Sequence, residues 1–253
     1  MIKLSTRKLP VSLLNLEFSE DGSLYLNGIK QVPNIRRLAE LTEVLFDRDF
    51  AQGADLNQPI YFMYRDVTRP IDRQLFLEMR LRYDITIMLP KTLGVEFNKT
   101  LGHYHPKASD ALTYMEVYEV LYGEAHYLLQ KVDGNRVIDA ALVEAKEGDK
   151  VVIPSGYGHI TINPSTENCL VMSNLVYRDF ESIYEPIKKM KGGVVYELTS
   201  GKLVVNSNYE LAKDVQRVKP DEGFSLKFNG RDLYSLFIER PDSFVFLKDP
   251  SRY

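Results

Sequence analysis

Four histidines occur in the 253 residues, and two of them, His103 and His105, are separated by a single residue in the run KTLGHYHPK. On an extended strand such a pair projects to one face with Cα atoms about 6.5–7 Å apart, an arrangement suited to chelating a metal ion. A third, His159, follows the run IPSGYG, a turn stiff enough to fix where its imidazole points. Between them, in the strand expected over 115–121, period-two alternation puts Glu116 and Tyr118 on one face and Glu119 on the other. Either carboxylate can be the inward one on pattern alone. His126 stands outside this group and reads as a hydrogen-bonded or partly exposed strand residue. Cys169, the only cysteine, forbids an intrachain disulfide, fits a reducing compartment and reads as a small buried hydrophobe.

The elements that must position these side chains are mostly strands. Runs of β-branched and aromatic residues are expected to pair over 59–64, 82–89, 115–121, 125–131, 137–143, 150–153, 159–162 and 170–177. The segments DGN, EGD and NPS between them supply turn conformations. Eight short strands with close turns favour a barrel or jelly roll over a βαβ fold. One amphipathic helix is expected over 34–49, where Leu38, Leu41, Val44 and Leu45 recur at three- and four-residue spacing. The basic run ending in Gly192-Gly193 reads as a solvated helix end and stop. Beyond it, further strands are expected over 195–198, 202–205, 233–238 and 244–247. Division into a barrel with its N-terminal arm and helix (1–193) and a C-terminal extension (194–253) follows.

The spacing around these residues resembles the cupin superfamily. His103-x-His105 with Glu116 and, six residues on, Gly123 is similar to the first cupin motif. Gly148-x5-Pro154-x-Gly156-x2-His159-x3-Asn163 is similar to the second at every fixed position. The resemblance implies an all-β cupin (jelly-roll, double-stranded β-helix) barrel with a few peripheral helices, holding a metal on His103, His105, Glu116 and His159. It narrows to the archaeal cupin-type glucose-6-phosphate isomerases through Arg36-Arg37-Leu38, Thr86 before Pro90, Thr100-x-Gly102, Glu116-Val117-Tyr118 and Leu128-Leu129-Gln130. It covers roughly residues 25–190. Three departures stand out: a longer spacer of ten residues between His105 and Glu116, no histidine in 177–185 where family members carry one, and the tail.

Three imidazoles and a carboxylate suit Fe²⁺ first, or Mn²⁺, Ni²⁺ or Zn²⁺, and not Ca²⁺ or Mg²⁺, which prefer oxygen alone. The resemblance implies interconversion of glucose 6-phosphate and fructose 6-phosphate, through a cis-enediolate or a hydride shift at a Lewis-acidic metal. Glu116 is then metal ligand and candidate base, roles that compete, and Tyr118 can donate to a substrate oxygen. The resemblance assigns the phosphate to Tyr61, Thr86, Thr100 and Gly102, hydroxyls and an amide without a lysine clamp. The same metal set also serves cupin dioxygenases and decarboxylases, and a non-catalytic sugar-binding cupin is a further alternative. Net charge −3 offers no basic excess for nucleic acid. No run of about 18 apolar residues exists for a membrane helix, and no signal-peptide core is evident, so a cytoplasmic protein is expected. Cupin barrels commonly pair through sheet edges, which leads to an expected homodimer.

Overall fold

A computed structural model describes residues 5–226 and 231–253. Its centre is two six-stranded sheets. In chain order the strands are β1 (Arg7–Lys8), β2 (Leu16–Phe18), β3 (Leu24–Leu26), β4 (Ile29–Lys30), β5 (Asn34–Arg37), β6 (Pro59–Tyr64), β7 (Leu81–Met88), β8 (Thr92–Leu93) and β9 (Glu96–Lys99). There follow β10 (Glu116–Tyr122), β11 (Glu124–Asp133), β12 (Arg136–Lys146), β13 (Lys150–Ile153), β14 (Gly158–Asn163), β15 (Leu170–Tyr177), β16 (Val195–Glu197), β17 (Leu203–Val205) and β18 (Gln216–Val218). Four short helices, α1 (Phe50–Gly53), α2 (Arg73–Met79), α3 (Glu185–Lys189) and α4 (Leu233–Glu239), lie at the periphery. One sheet has the order β13-β10-β15-β7-β6-β5, the other β18-β12-β11-β14-β9-β8. The chain thus adopts the all-β cupin arrangement that its motifs imply, with a C-terminal extension.

The first sheet is buried on both faces. Its inner positions, Tyr61, Met88, Tyr118, Val120 and Met172, pack with Tyr127 and Leu129 of the second sheet. Its outer positions, Phe62, Tyr64, Tyr83, Val117 and Leu175, pack under the β1–β4 meander, α2, α4 and the 3₁₀ turn Pro241–Leu247. Double burial explains why β15, LVMSNLVY, reads as a nearly continuous apolar run. Each fully buried Phe or Leu contributes about 1.5–3 kcal/mol. The extension is therefore part of what dries this sheet's back: Leu233, Tyr234, Phe237, Phe244 and Leu247 share one cluster with Leu16, Phe76 and Tyr83. On the other sheet, β18 adds in parallel to β12.

Three expected elements differ. Residues 34–49 form no amphipathic helix: β5 pairs with β6, and two 3₁₀ turns, Leu38–Glu40 and Thr42–Val44, follow. Leu38, Leu41 and Val44 are buried all the same. Their spacing of three matches the three residues per turn of a 3₁₀ helix better than the α-helical 3.6. The expected strand at 233–238 is the helix α4, whose start is capped by Asp232 accepting from the Ser235 amide (2.9 Å). The expected strand at 244–247 is 3₁₀. Short apolar runs do not separate helix from strand by period, but an Asp three residues before a Ser was a legible cap.

Candidate metal centre

His103, His105, Glu116 and His159 converge. Ligand atoms from all four lie within 4.8 Å of one another. His159 enters from β14, Glu116 from β10, and His103 from the segment after β9, which bridges back onto His159 through reciprocal backbone bonds, His103 N to His159 O (3.1 Å) and His159 N to His103 O (3.0 Å). Gly102 makes this crossing possible: its φ is +79°, and a Cβ there would meet Ile160 Cγ1 at 2.4 Å. Alternation along β10 settles the choice that pattern left open. Glu116 faces inward with Tyr118, whereas Glu119 faces the other side, pairing with Lys150 at 2.9 Å and accepting from the Leu233 amide.

The longer spacer has a visible job. His105 Nδ1 donates to the Tyr114 carbonyl (3.0 Å), and because a carbonyl only accepts, the tautomer leaves Nε2 with its lone pair toward the centre. Thr113 pins the spacer to the second motif's turn, its amide donating to Ser155 Oγ (2.8 Å) and its hydroxyl accepting from the Gly156 amide (2.7 Å). Tyr114 stacks on Tyr177 at 4.5 Å and 7°. Phe180, in the segment that lacks the family's histidine, packs on the His105 ring at 4.8 Å, and Tyr184 sits 5.6 Å from His103.

Glu116 Oε1 accepts from Asn174 Nδ2 (2.7 Å), leaving Oε2 to face His105 Nε2 at 3.2 Å and His159 Nε2 at 3.5 Å. His105 Nε2, Glu116 Oε2 and His159 Nδ1 are buried without a hydrogen-bond partner. Unpartnered buried polar atoms are costly, on the order of 1–3 kcal/mol each, and His105 Nε2 and Glu116 Oε2, facing each other with His159 Nε2 beside them, fit a cation that takes their lone pairs. Burial, with the neighbouring His159 and His105 rings, holds the His103 imidazole well below its ordinary range. Burial also pushes His159 down to about 4 against the pull of Glu116. For Glu116 burial acts upward, but the His105 contact and both imidazoles outweigh it and the carboxyl lies below its usual value. Neutral imidazoles beside an ionised carboxylate are the protonation states that metal binding requires.

The cavity over this centre is lined by every residue that the resemblance assigns to phosphate, Tyr61, Thr86, Thr100 and Gly102, and by Tyr118. The Tyr118 hydroxyl lies 3.2 Å from His159 Nε2, and burial beside Glu116 raises its pKa well above the ordinary range. The Thr100 hydroxyl accepts from the Thr161 amide (2.9 Å) and keeps its proton to donate. Tyr61 receives the Leu101 amide (3.4 Å) and Arg36 Nε (3.2 Å). His126 lies away from the centre, its Nδ1 2.9 Å from Glu197. Sequence reasoning missed Arg65, Arg82 and Asn174, which also line the cavity. For Arg82 a signal was present: in β7, LRYDITIM, Arg82, Asp84 and Thr86 alternate with apolar residues.

The family described as Glucose-6-phosphate isomerase (GPI) matches residues 35–214. The glucose-6-phosphate isomerase of Pyrococcus abyssi is 30% identical over 185 residues, covering 73% of this chain and 85% of its own. That of Thermococcus litoralis is 27% identical over 176 residues, 69% and 85% of the two chains. Among solved structures, oxalate oxidase is similar at a TM-score of 0.36 and 15% identity, over 50% of this chain and 56% of that one.

Proposed function

The chain belongs to the glucose-6-phosphate isomerase family, and from that membership we propose that it interconverts glucose 6-phosphate and fructose 6-phosphate with a divalent transition metal, Fe²⁺ first among the candidates. The observation that carries the reading is the pair of unpartnered buried atoms, His105 Nε2 and Glu116 Oε2, with His159 Nε2 beside them, opening into a cavity that also holds Thr86, Thr100, Gly102 and Tyr61. His103, His105, Glu116 and His159 would hold the metal, which supplies Lewis-acid stabilisation of negative charge on the sugar's C1 and C2 oxygens.

The chain's own groups have separable tasks. Thr86, Thr100 and Tyr61 hydroxyls and the Gly102 amide bind the phosphate and set the distance from it to the reacting carbons. Phe180 and Tyr184 narrow the mouth and limit water. In a proton-transfer route a base takes the proton from C2 of the aldose and returns it to C1, while the hydroxyl proton passes from O2 to O1, so that atoms and charge balance over the cycle. Glu116 is the candidate through Oε2, the oxygen left by the bond from Asn174, and this role competes with holding the metal. Tyr118, protonated at all working pH values, donates to a substrate oxygen and never accepts the proton. In a hydride route hydrogen passes from C2 to C1 directly, no base acts at carbon, and only the hydroxyl proton has to pass from O2 to O1. Solvent deuterium appearing at C1 or C2 of the product separates the two.

The protein is further proposed to act in the cytoplasm as a homodimer, with 194–253 a C-terminal extension to a unit spanning 1–193. No helix of the described residues is long and apolar enough to cross a membrane. The decisive assay supplies fructose 6-phosphate to metal-loaded protein and couples product to glucose 6-phosphate oxidation, with and without chelator. Activity abolished by chelator and restored by metal is expected. No turnover with any divalent metal overturns the proposal.

A further inference from the structure

At the rim of the cavity, where β7 begins and β15 ends, four arginines meet three aspartates. Arg80 pairs with Asp179 at 2.7 Å and Arg178 with Asp66 at 2.7 Å. Arg65 and Arg82 both fall on one carboxylate, Asp84, at 2.6 and 2.8 Å. Asp84 is fully buried, while the side chains of Arg65 and Arg82 are 38% and 25% exposed and line the cavity. Glu181, on the exposed turn beyond β15, forms no ion pair among the described residues. Among these rim groups one guanidinium charge is in excess, and the next carboxylate, Glu116 in the same cavity, is the one assigned to the metal centre.

The donors are as uneven as the charges. Arg82 reaches Asp84 through Nε alone, at 2.9 Å to Oδ1 and 2.8 Å to Oδ2, and its two terminal nitrogens have no acceptor among the described residues. Arg65 gives Nη1 to Asp84, while Nη2 rests 3.1 Å from the Met63 sulfur, a weak acceptor. Asp84 also accepts the Asp66 amide (3.0 Å) and has little capacity left. A buried carboxylate that fixes two arginines by one edge each, with their remaining N–H groups toward a cavity, is a preorganised fork for a planar or tetrahedral oxyanion.

Position separates this fork from the hydroxyl cradle. Arg82, Val176 and Glu116 lie side by side across β7, β15 and β10, so Arg82 stands level with the metal centre. Thr86 is four residues further along β7, about 13 Å deeper. The geometry points to a second oxyanion subsite, formed by Arg65 and Arg82 and held by Asp84, at the mouth of the cavity and distinct from the Thr86, Thr100 and Gly102 cradle. Its ligand is a phosphate or carboxylate group, carried either by a substrate with two acidic groups or by a free anion that binds beside the substrate.

Titration of the full chain with inorganic phosphate, followed by ³¹P NMR, tests this without turnover, so its failure and that of the isomerase assay are separate results. Two phosphates per chain are expected. Arg82→Met should weaken the mouth site about tenfold or more, Arg82→Lys less, and Thr100→Val should weaken only the other. An unchanged melting temperature in Arg82→Lys guards against a folding artefact. A single phosphate, sensitive to Thr100→Val and untouched by either Arg82 variant, overturns the subsite. A ketose bisphosphate or a phosphorylated aldonic acid that displaces both phosphates together supports the substrate as source. Displacement of only the deep phosphate supports the subsite with a free anion as its ligand.

Discussion

Two histidine–glutamate pairs sit in different parts of this molecule, and they are alike in chemistry and opposite in state. His126 Nδ1 lies 2.9 and 3.0 Å from the two oxygens of Glu197, Arg217 joins Glu197 to Glu144 at 2.8 Å each, and Lys219 completes the row at 2.9 Å from Glu144. Two carboxylates meet two cations and an imidazole, and no side-chain atom of the row is buried without a partner. His105 and Glu116 are comparably buried, with side chains 1% and 4% exposed against 14% and 2%, and lie 3.2 Å apart, yet each keeps an unpartnered atom aimed at the same point. Burial of a polar pair therefore does not distinguish a site from a strut. What distinguishes them is whether the valences close within the protein. The first row closes and fastens β18 and β16 to the main sheets, whereas the second closes only with something added.

The largest effect that would break this contrast is at His105. His105→Ala should lower metal affinity by about 100-fold or more, beyond the cost of losing an outer-sphere partner, and isomerase activity with it. Metal content after dialysis is the measurement, and full retention would remove the assignment of the centre. Glu197→Gln should do the reverse. It leaves Arg217 and His126 facing a neutral amide in a largely buried setting, at a cost of about 2 kcal/mol in folding stability, part of it screened because Arg217 reaches solvent. A urea midpoint that falls while metal content stays at the wild-type value sharpens the distinction. A Glu197→Gln chain that loses metal would merge the two regions into one.

Much of this was legible in the chain, and the parts that were not have particular physical causes. Glu116, His103, His105 and His159 were found because metal chemistry needs few residue types at strand spacing, and turns with glycine and proline mark where strands end. The ambiguity between Glu116 and Glu119 was one of register, which a period of two cannot resolve without knowing which face is wet; here neither is, because the extension covers the back of the sheet. That same cover made residues 233–238 look like a strand. Arg65, Arg82 and Asn174 escaped notice for a different reason. Arg65 and Asn174 matter for what they meet on other strands, Asp84 and Glu116, which one-dimensional motifs do not record, whereas Arg82 meets Asp84 within its own strand.

Asn174 gives the next finer test, since it touches the centre without belonging to the ligand set. Its amide fixes Glu116 Oε1 and so decides which oxygen remains for the centre. Asn174→Leu should reduce metal affinity about tenfold, the lower end of what an outer-sphere partner contributes, and lower folding stability by about 1–3 kcal/mol because buried Glu116 Oε1 loses its donor. Asn174→Asp should be worse, since two carboxylates would then adjoin at 2.7 Å separation of their oxygens. Equal metal affinity in all three proteins would mean that Glu116 is oriented by the sheet alone.

The smallest effect lies in the closed row and shows itself in acid. Lys219, against a smaller opposing effect of burial, and then Arg217 and His126 hold the Glu144 carboxyl down to about 2, below its ordinary value of 4.5. The unfolded chain therefore takes up a proton near pH 4.5 while the folded chain resists until about pH 2. Glu144's contribution to stability is complete above pH 4.5, declines as pH falls through that window and is gone below about 2. Because Lys219 is 63% exposed, solvent screens the row and the contribution is about 1 kcal/mol rather than the full value of the shift. Glu144→Gln should lower stability by that amount at pH 7 and by nothing at pH 2, so the two proteins' urea midpoints converge as the medium is acidified. Midpoints that run parallel across the window would mean that the row is held by its hydrogen bonds and not by its charges, and the closure of valences that separates strut from site would then be geometric rather than electrostatic.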